Sequence, residues 1–527
     1  MQRKIMVVTG NLARKEAEKQ VFLLNKAGWE AKVKVFNIDV AVFINEKILA
    51  KWINESCNEL RDAIIVLPGG VLVNPSLLLN LVKCREIRIV KGPTHISDLY
   101  MYIQMIPIEE WTLDDSIDTL YAREKYDSIV TCYREMISGN HGVKSVHSNI
   151  VIPVTPPPFI PAGELYVDSY FSRYLENKLK WIIDSKFPII VLGSINNDLH
   201  SIERWIRGIE QEGYNGIIGL DATPSCKSME LVSRTSAELF LSIDSHHLQK
   251  LERCIKKHRE EIIPVLTPHN TTGNKKSKLA SLGYTVRKAR ELGIDRFILD
   301  PILPPPYTGE NTSILDAFLM AKNLNVKYGK PLLLGLSNYI ELTDADSPGL
   351  VFSLIQMSID ARVSLGLFAE ESYKTQGVLQ EAFIAAIMNS YSAKRNTPPK
   401  NMGIDLLVLK DKRRMENNTA GNILLVRERD TGKPVGKWDP LGHINIAVDY
   451  NRKIVLVKKD SWNSWIGSGE WRPVIDYLLE NNEISSIGHA FYIGKEIYKA
   501  VLALKLGKDY IQDQRLFKKN YLEGIEK

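Results

Sequence analysis

Several signatures of chemistry are missing from this chain. Its five cysteines, Cys57, Cys84, Cys132, Cys226 and Cys254, form no CxxC pair and are odd in number. That spacing argues against a zinc site or a disulfide framework, so five reduced thiols are expected. None of the ten histidines sits in an HExxH. His246-His247 are adjacent and diverge on either a helix or a strand, so no shared metal is expected there. GxGxxG and GxxxxGK[ST] are both absent, and Gly10 and Gly69-Gly70, which follow apolar runs, read as turn glycines rather than a phosphate cradle. Charge of one sign is scarce too. Sixty-eight basic and 62 acidic residues leave a net +6 over 527 positions, with no dense basic block, which argues against nucleic acid as a partner. No membrane span is expected, because the most apolar region, IIVLPGGVLVNPSLLLNLV at 64–82, is broken by Pro68, Gly69-Gly70 and Asn74-Pro75. The opening MQRKIMVVTG has no leader-like apolar stretch, so a cytoplasmic location is expected.

What is present is the composition of a globular protein, 44% hydrophobic and 25% charged, long enough for about three domains. Two proline-rich seams, VTPPPFIPAG at 154–163 and RNTPPKN at 395–401, read as linkers. They divide the chain into 1–155, 160–397 and 400–527. The first piece reads α/β, with strands at Lys4–Thr9, Lys32–Phe36 and Ala63–Leu67 and a helix at Leu12–Lys26. The third reads as a small α+β domain. Its strands are Ile423–Arg427, His443–Val448 and Ile454–Lys459, with a hairpin turn at Tyr450-Asn451-Arg452 and a long helix His489–Leu506. His489, Tyr492 and Glu496 lie at helical spacing there and read as structural, as do Trp462, Trp465 and Trp471.

The middle piece repeats one theme: a short apolar run, a polar residue at its end, then an amphipathic helix. The runs are ELYVD (164–168), PIIVLG (188–193), GIIGLD (216–221), LFLSID (239–244), IIPVLT (262–267), RFILD (296–300), PLLLGLS (331–337) and SLGLFAE (364–370). Continuous apolar runs are the pattern of parallel strands covered on both faces. Run ends about 23–37 residues apart match one βα unit each. A (β/α)8 barrel is the leading fold and an open doubly wound sheet the alternative.

In such a barrel the chemistry collects at the carboxyl ends of the strands. Those ends carry Ser194 and Asn196, Asp221, Asp244, Thr267, Asp300, Ser337 with Asn338, and Glu370. Converging carboxylates need a counterpart. Magnesium would serve, and so would a flat heterocycle whose amino group and ring N–H form a donor fork. The proline run Pro304–Pro306 would then hold a stiff loop beside Asp300.

These motifs resemble the pterin-binding barrels, dihydropteroate synthase and the corrinoid-linked pterin methyltransferases. FILDP at 297–301 is similar to the family's sixth-strand motif, GLDAT at 219–223 to its third and PLLLGLSN at 331–338 to its seventh. The whole chain more closely resembles the dihydropteroate synthase-related proteins of archaea, through KGPTHISDL (91–99), SNYIELTDADSPG (337–349), EESYKTQG (370–377), DPLGHINIAVD (439–449) and HAFYIGKEIYKA (489–500). The resemblance implies a dihydropteroate synthase-like TIM barrel flanked by an N-terminal α/β and a C-terminal α+β domain. It implies a reduced pterin of tetrahydrofolate or tetrahydromethanopterin type, in synthase-type condensation or pterin-dependent methyl transfer. Asp221 and Asp300 would contact the pterin, with Asp244, Ser337 and Asn196 as further binding residues. Asn338 and Glu370 would lie on the reacting side.

The chain departs from the synthase pattern where Asn338-Tyr339 replaces a basic pair and Glu370-Glu371 replaces cations, which makes diphosphate a poor guest. Lys275, Lys276 and Lys374 could compensate. The partners this implies are a small-molecule pterin, a second copy in a homodimer, and a corrinoid-bearing or other protein. The alternatives are a magnesium-dependent barrel enzyme on the same acids and a non-catalytic pterin-binding scaffold.

Overall fold

The structure is a computed structural model that describes residues 4–94, 96–139, 141–168, 175–269, 275–307, 313–399, 402, 404–409 and 439–517. The chain forms two compact units, one of Met1–Met136 with Ser390–Asp405, the other of Ile137–Asn389 with Leu406–Lys527.

The first unit is built on four parallel strands, β1 (Lys4–Thr9), β2 (Glu30–Val35), β3 (Ala63–Leu67) and β4 (Arg88–Lys91), in the order β2-β1-β3-β4. A helix Arg14–Lys26 follows β1, and buried clusters lie on both faces of the sheet, as the α/β reading anticipates.

The second unit holds the barrel. A short hairpin, β5 (Gly142–Lys144) and β6 (Val151–Pro153), precedes it. Eight parallel strands follow: β7 (Ile160–Tyr166), β8 (Ile189–Gly193), β9 (Ile217–Asp221), β10 (Ala237–Ile243), β11 (Ile263–Leu266), β12 (Ile298–Leu299), β13 (Leu333–Gly335) and β14 (Leu365–Ala369). Their order is β12-β11-β10-β9-β8-β7-β14-β13. A parallel bridge from Leu299 to Leu332 and a bond from the Leu299 N–H to the Pro331 carbonyl join the two ends of that row. The sheet therefore closes and presents no edge. All five residues of β8 are buried, as a strand covered on both faces must be. The intervening helices turn their predicted stripes inward, for example Ile202, Ile206 and Ile209 after β8 and Leu282, Val286 and Ala289 after β11. At the opposite end of the strands from the candidate residues, Glu238 of β10 is fully buried. It accepts the Val146 N–H at 2.8 Å and the Ser145 hydroxyl from the hairpin turn.

Residues 154–163 do not form a linker: β7 begins at Ile160, inside the proline-rich run, and Phe159, Ile160 and Ala162 are fully buried. Proline is tolerated for a local reason. The Ile160 N–H points to β14, donating to Ser364, so the nitrogen of Pro161 faces the β8 side. Pairing with β8 starts only at Ala162, and no ladder bond is lost.

In the C-terminal region an antiparallel sheet of β15 (Ile444–Asp449), β16 (Ile454–Lys459) and β17 (Ile466–Ser468) packs with helices Trp471–Glu480 and Ile487–Leu506. The expected hairpin and long helix are present, and Trp462 packs against the cluster while Trp465 and Trp471 are exposed. The expected strand Ile423–Arg427 lies outside the described residues. His489 Nδ1 sits 2.9 Å from Asp439, whose carboxylate also accepts the Ser485 and Ser486 N–H groups, a clamp on the start of the helix. Glu496 is fully buried, not on the surface, and accepts the Tyr510 hydroxyl at 3.0 Å.

Four of the five cysteines, expected as reduced thiols, are paired. Cys57 pairs with Cys84 and Cys226 with Cys254, with Cα–Cα distances of 5.7 and 5.5 Å, and only Cys132 is free. The partners lie 27 and 28 residues apart, a separation that carries no sequence signature. Closing loops of this length restricts the unfolded chain, and each bond is expected to stabilise its unit by roughly 3–4 kcal/mol. Thiol titration of the denatured, unreduced protein should find one reactive thiol, rising to five after reduction. Reduction should also lower the unfolding temperature; five thiols before reduction would disprove the pairing.

Candidate functional site

Because every barrel strand runs the same way, all eight carboxyl ends open on one rim. Asp168 follows β7, Ser194 and Asn196 follow β8, Asp221 ends β9, and Asp244 follows β10. Thr267 follows β11, Asp300 follows β12, Ser337 and Asn338 follow β13, and Glu370 follows β14. The ring expected from the sequence is therefore assembled, with Asp221 and Asp300 three strands apart in a ring of eight, nearly across the mouth.

Three of its acids have their charge met by the protein. Asp168 accepts the Ser194 hydroxyl at 2.8 Å, the Ile195 N–H at 2.8 Å, and both the backbone and side-chain N–H groups of Asn196 at 3.0 Å. Burial acts to raise its pKa, but these donors outweigh it and hold the carboxyl below its ordinary value. The amide nitrogen of Asn196 is thus engaged in shaping the turn after β8.

Asp244 follows a bulge in β10, where the register shifts between Phe240 and Ile243 and Ser242 adopts φ +60°. Bulges re-aim a strand end, and here Asp244 turns to cap the next helix through the His247 N–H at 2.9 Å while meeting His269 Nδ1 at 2.7 Å. Burial again opposes ionisation, and again the donors prevail, keeping Asp244 below its usual range. Glu370 is buried, 2.8 Å from the Lys178 ammonium, and accepts the Leu379 N–H at 3.1 Å.

The remaining acids are not offset in this way. Asp300 is pushed up to about 7 by burial, against the Ile302 N–H it accepts at 2.7 Å and the charge of Lys278. Ile302 has φ +63°, a left-handed conformation that a β-branched residue adopts at a cost. The strand thus ends on a strained turn, and the proline-rich segment leads away from it. Lys278 is itself buried, which lowers its pKa against the pull of Asp300.

On the other side of the mouth the Tyr166 hydroxyl lies 3.0 Å from Asp221 Oδ2 and 3.3 Å from Glu164 Oε1. Burial, then the charge of Asp221, pushes Glu164 well above the carboxylate range. Glu164 and Tyr166 are not among the residues that the sequence singles out, because the polar end of ELYVD is Asp168. The alternation of β7, with Leu165 and Val167 buried and Glu164 and Tyr166 partly open, was the available signal.

Ser337 donates its hydroxyl to the Leu367 carbonyl at 3.1 Å, while Asn338 is exposed at the first turn of helix Ser337–Glu341. Thr267 is buried. Of the lysines considered for an anion, Lys374 is engaged by the carbonyls of Glu341 and Thr343 at 2.6 and 2.8 Å. Lys276 is exposed, and the side chain of Lys275 lies outside the described residues. Among the described residues no group of three or more His, Cys, Asp or Glu is placed to hold a metal ion. No helix among them is long and apolar enough to cross a membrane.

A closed (β/α)8 ring with an acid-lined rim, followed by a small α+β domain, defines the class. Residues 438–513 match the family model PterinBD-DUF4346, so the resemblance to dihydropteroate synthase-related proteins extends from the barrel motifs into the C-terminal domain. An archaeal relative, the uncharacterized protein MJ0107 of Methanocaldococcus jannaschii, is 25% identical over 98% of this chain and 99% of its own. Solved structures with similarity include a dihydropteroate synthase in complex with pteroic acid from Coxiella burnetii, 15% identical, over 44% of this chain and 93% of that one, with TM-score 0.35. A phospho-2-dehydro-3-deoxyheptonate aldolase from Thermotoga maritima is 13% identical, over 45% and 71%, with TM-score 0.33.

The raised carboxyl of Asp300 has a consequence for stability. Its unfolded-state value lies near 4, so between about pH 4 and 7 the folded chain binds more protons than the unfolded one, and stability falls as pH rises. An Asp300→Asn protein lacks this loss. Its unfolding temperature relative to the parent should therefore climb between pH 5 and pH 8, measured calorimetrically. A difference that stays flat would show that Asp300 is solvated.

Proposed function

We propose that the barrel binds a reduced pterin at its mouth and that the protein is a dihydropteroate synthase-like transferase of folate-like or methanopterin metabolism. One observation carries this reading: Asp221 and Asp300 converge on one rim, in the two clusters where burial outweighs the donors and counter-charge that the protein supplies. A pterin brings an amino group and a ring N–H that a carboxylate can accept as a pair, supplying the missing donors.

Of the two reaction types, methyl transfer suits the described residues better than synthase-type condensation. Condensation expels diphosphate, and Lys178 and Lys374 are already engaged, by Glu370 and by backbone carbonyls. In the methyl-transfer reading Asn338 offers an exposed amide to the reacting side of the ring, and the acceptor is a corrinoid or other group brought by a partner. Ser337, Asn196, Asp244 and Glu370 then act by fixing the rim and its turns. The assignment to a cytoplasmic enzyme goes with this reading.

Calorimetric titration of the whole chain with tetrahydrofolate- and tetrahydromethanopterin-type pterins tests it. At least one should bind, and Asp221→Asn and Asp300→Asn should each weaken it roughly ten- to hundredfold, as expected for loss of a charged hydrogen-bond acceptor. No binding up to millimolar ligand, or binding indifferent to both substitutions, would reject the proposal. Competition by inorganic diphosphate would move the reaction back toward condensation.

A further inference from the structure

Tyr166, Gly193 and Asp221 stand in register across β7, β8 and β9, and Glu164, Val191 and Gly219 form the row two residues earlier. Residues in register share a face of the sheet, as do residues two apart on a strand. The glycine in the upper row matters. A β-carbon at Gly193 would lie 2.9 Å from the Tyr166 ring, so only glycine lets that ring pass over β8 toward Asp221.

The outcome is two carboxyl groups on one phenol, at 3.0 and 3.3 Å. A phenol has a single proton to donate. Two ionised carboxylates at this spacing, partly withdrawn from water, repel each other, and one of them keeps a proton. The surrounding charges do not relieve the repulsion. Besides Asp221 on β9 and Tyr166 on its own strand, the group acting on Glu164 is Glu371 after β14, also acidic, while the facing positions of β8 are Val191 and Gly193. Glu164 is the member whose burial favours the neutral form.

We propose that Glu164 serves as a neutral acid beside the Asp221 carboxyl, so that this arc of the rim recognises a donor–acceptor edge. Asp221 accepts an N–H of the ligand while the Glu164 O–H donates to a neighbouring ring carbonyl. The inference rests on the pterin reading and narrows it: 2-amino-4-oxo rings fit, whereas 2,4-diamino analogues present an amino group where the carbonyl should be.

The test measures binding of a reduced 2-amino-4-oxo pterin and its 2,4-diamino counterpart, at pH 6.5, 8 and 9.5, to the parent chain and to Glu164→Gln, which keeps a donor but cannot ionise. The parent should favour the oxo ring by roughly tenfold or more at pH 6.5. It should also lose roughly tenfold or more of that affinity by pH 9.5, against less than about threefold for Glu164→Gln, the shared change belonging to the ligand. Tyr166→Phe leaves both carboxyls in place and must move the midpoint of the parent's pH profile. Parallel profiles for parent and Glu164→Gln, equal affinity for the two rings, or an unmoved midpoint in Tyr166→Phe would each overturn the role of Glu164 while leaving pterin binding intact. Absence of binding to either ring in every form and at every pH would remove both.

Discussion

Gathering acids at one opening carries an electrostatic cost, and how each acid meets that cost separates scaffold from site. A parallel ring forces the convergence, since every strand must deliver its carboxyl end to the same rim. Asp168 meets the cost with amides and a hydroxyl of the next turn, Asp244 with a helix start and an imidazole, and Glu370 with the Lys178 ammonium. Removing such partners would unsettle the rim. Asp300 and the Glu164–Asp221 pair lack full compensation, and burial favours the protonated form of Asp300 and of Glu164. Groups in that condition are the ones a bound ligand can complete.

Much of this plan is legible before any coordinates. Parallel strands buried on both faces read as unbroken apolar runs, and a polar residue closing each run marks its carboxyl end. GIIGLD and RFILD therefore place Asp221 and Asp300 correctly. What the runs conceal is orientation and commitment. Nothing in SINN at 194–197 tells that the Asn196 amide turns to Asp168, because that bond joins two strand ends 28 residues apart. Glu164 and Tyr166 were hidden differently. Both lie inside the ELYVD run, whose polar end is Asp168, so only their alternation with the buried Leu165 and Val167 marks them.

The disulfides illustrate the same limit on a longer scale. Cys226 stands at the start of the helix after β9 and Cys254 in a short helix after β10. Their proximity arises only when successive βα units stack side by side. Once that packing is known the pairing is a matter of geometry, but the spacing of 28 residues could equally separate two surface thiols.

Departures from easy folding also cluster at the mouth. Gly193 gives up a side chain at the last residue of β8, and in return the Tyr166 ring reaches Asp221. Ile302 accepts a left-handed backbone two residues after Asp300, at about 1–3 kcal/mol. Ser242 does likewise in the bulge that turns Asp244. Below the rim the strands are plain: Ile189, Ile190, Val191 and Leu192 are all fully buried. A fold that needed only stability would have placed alanine at 193 and relaxed the turn at 302. That both strained turns and the side-chain-free position stand beside acids of the rim indicates that their placement, not the packing beneath them, is what the local sequence serves.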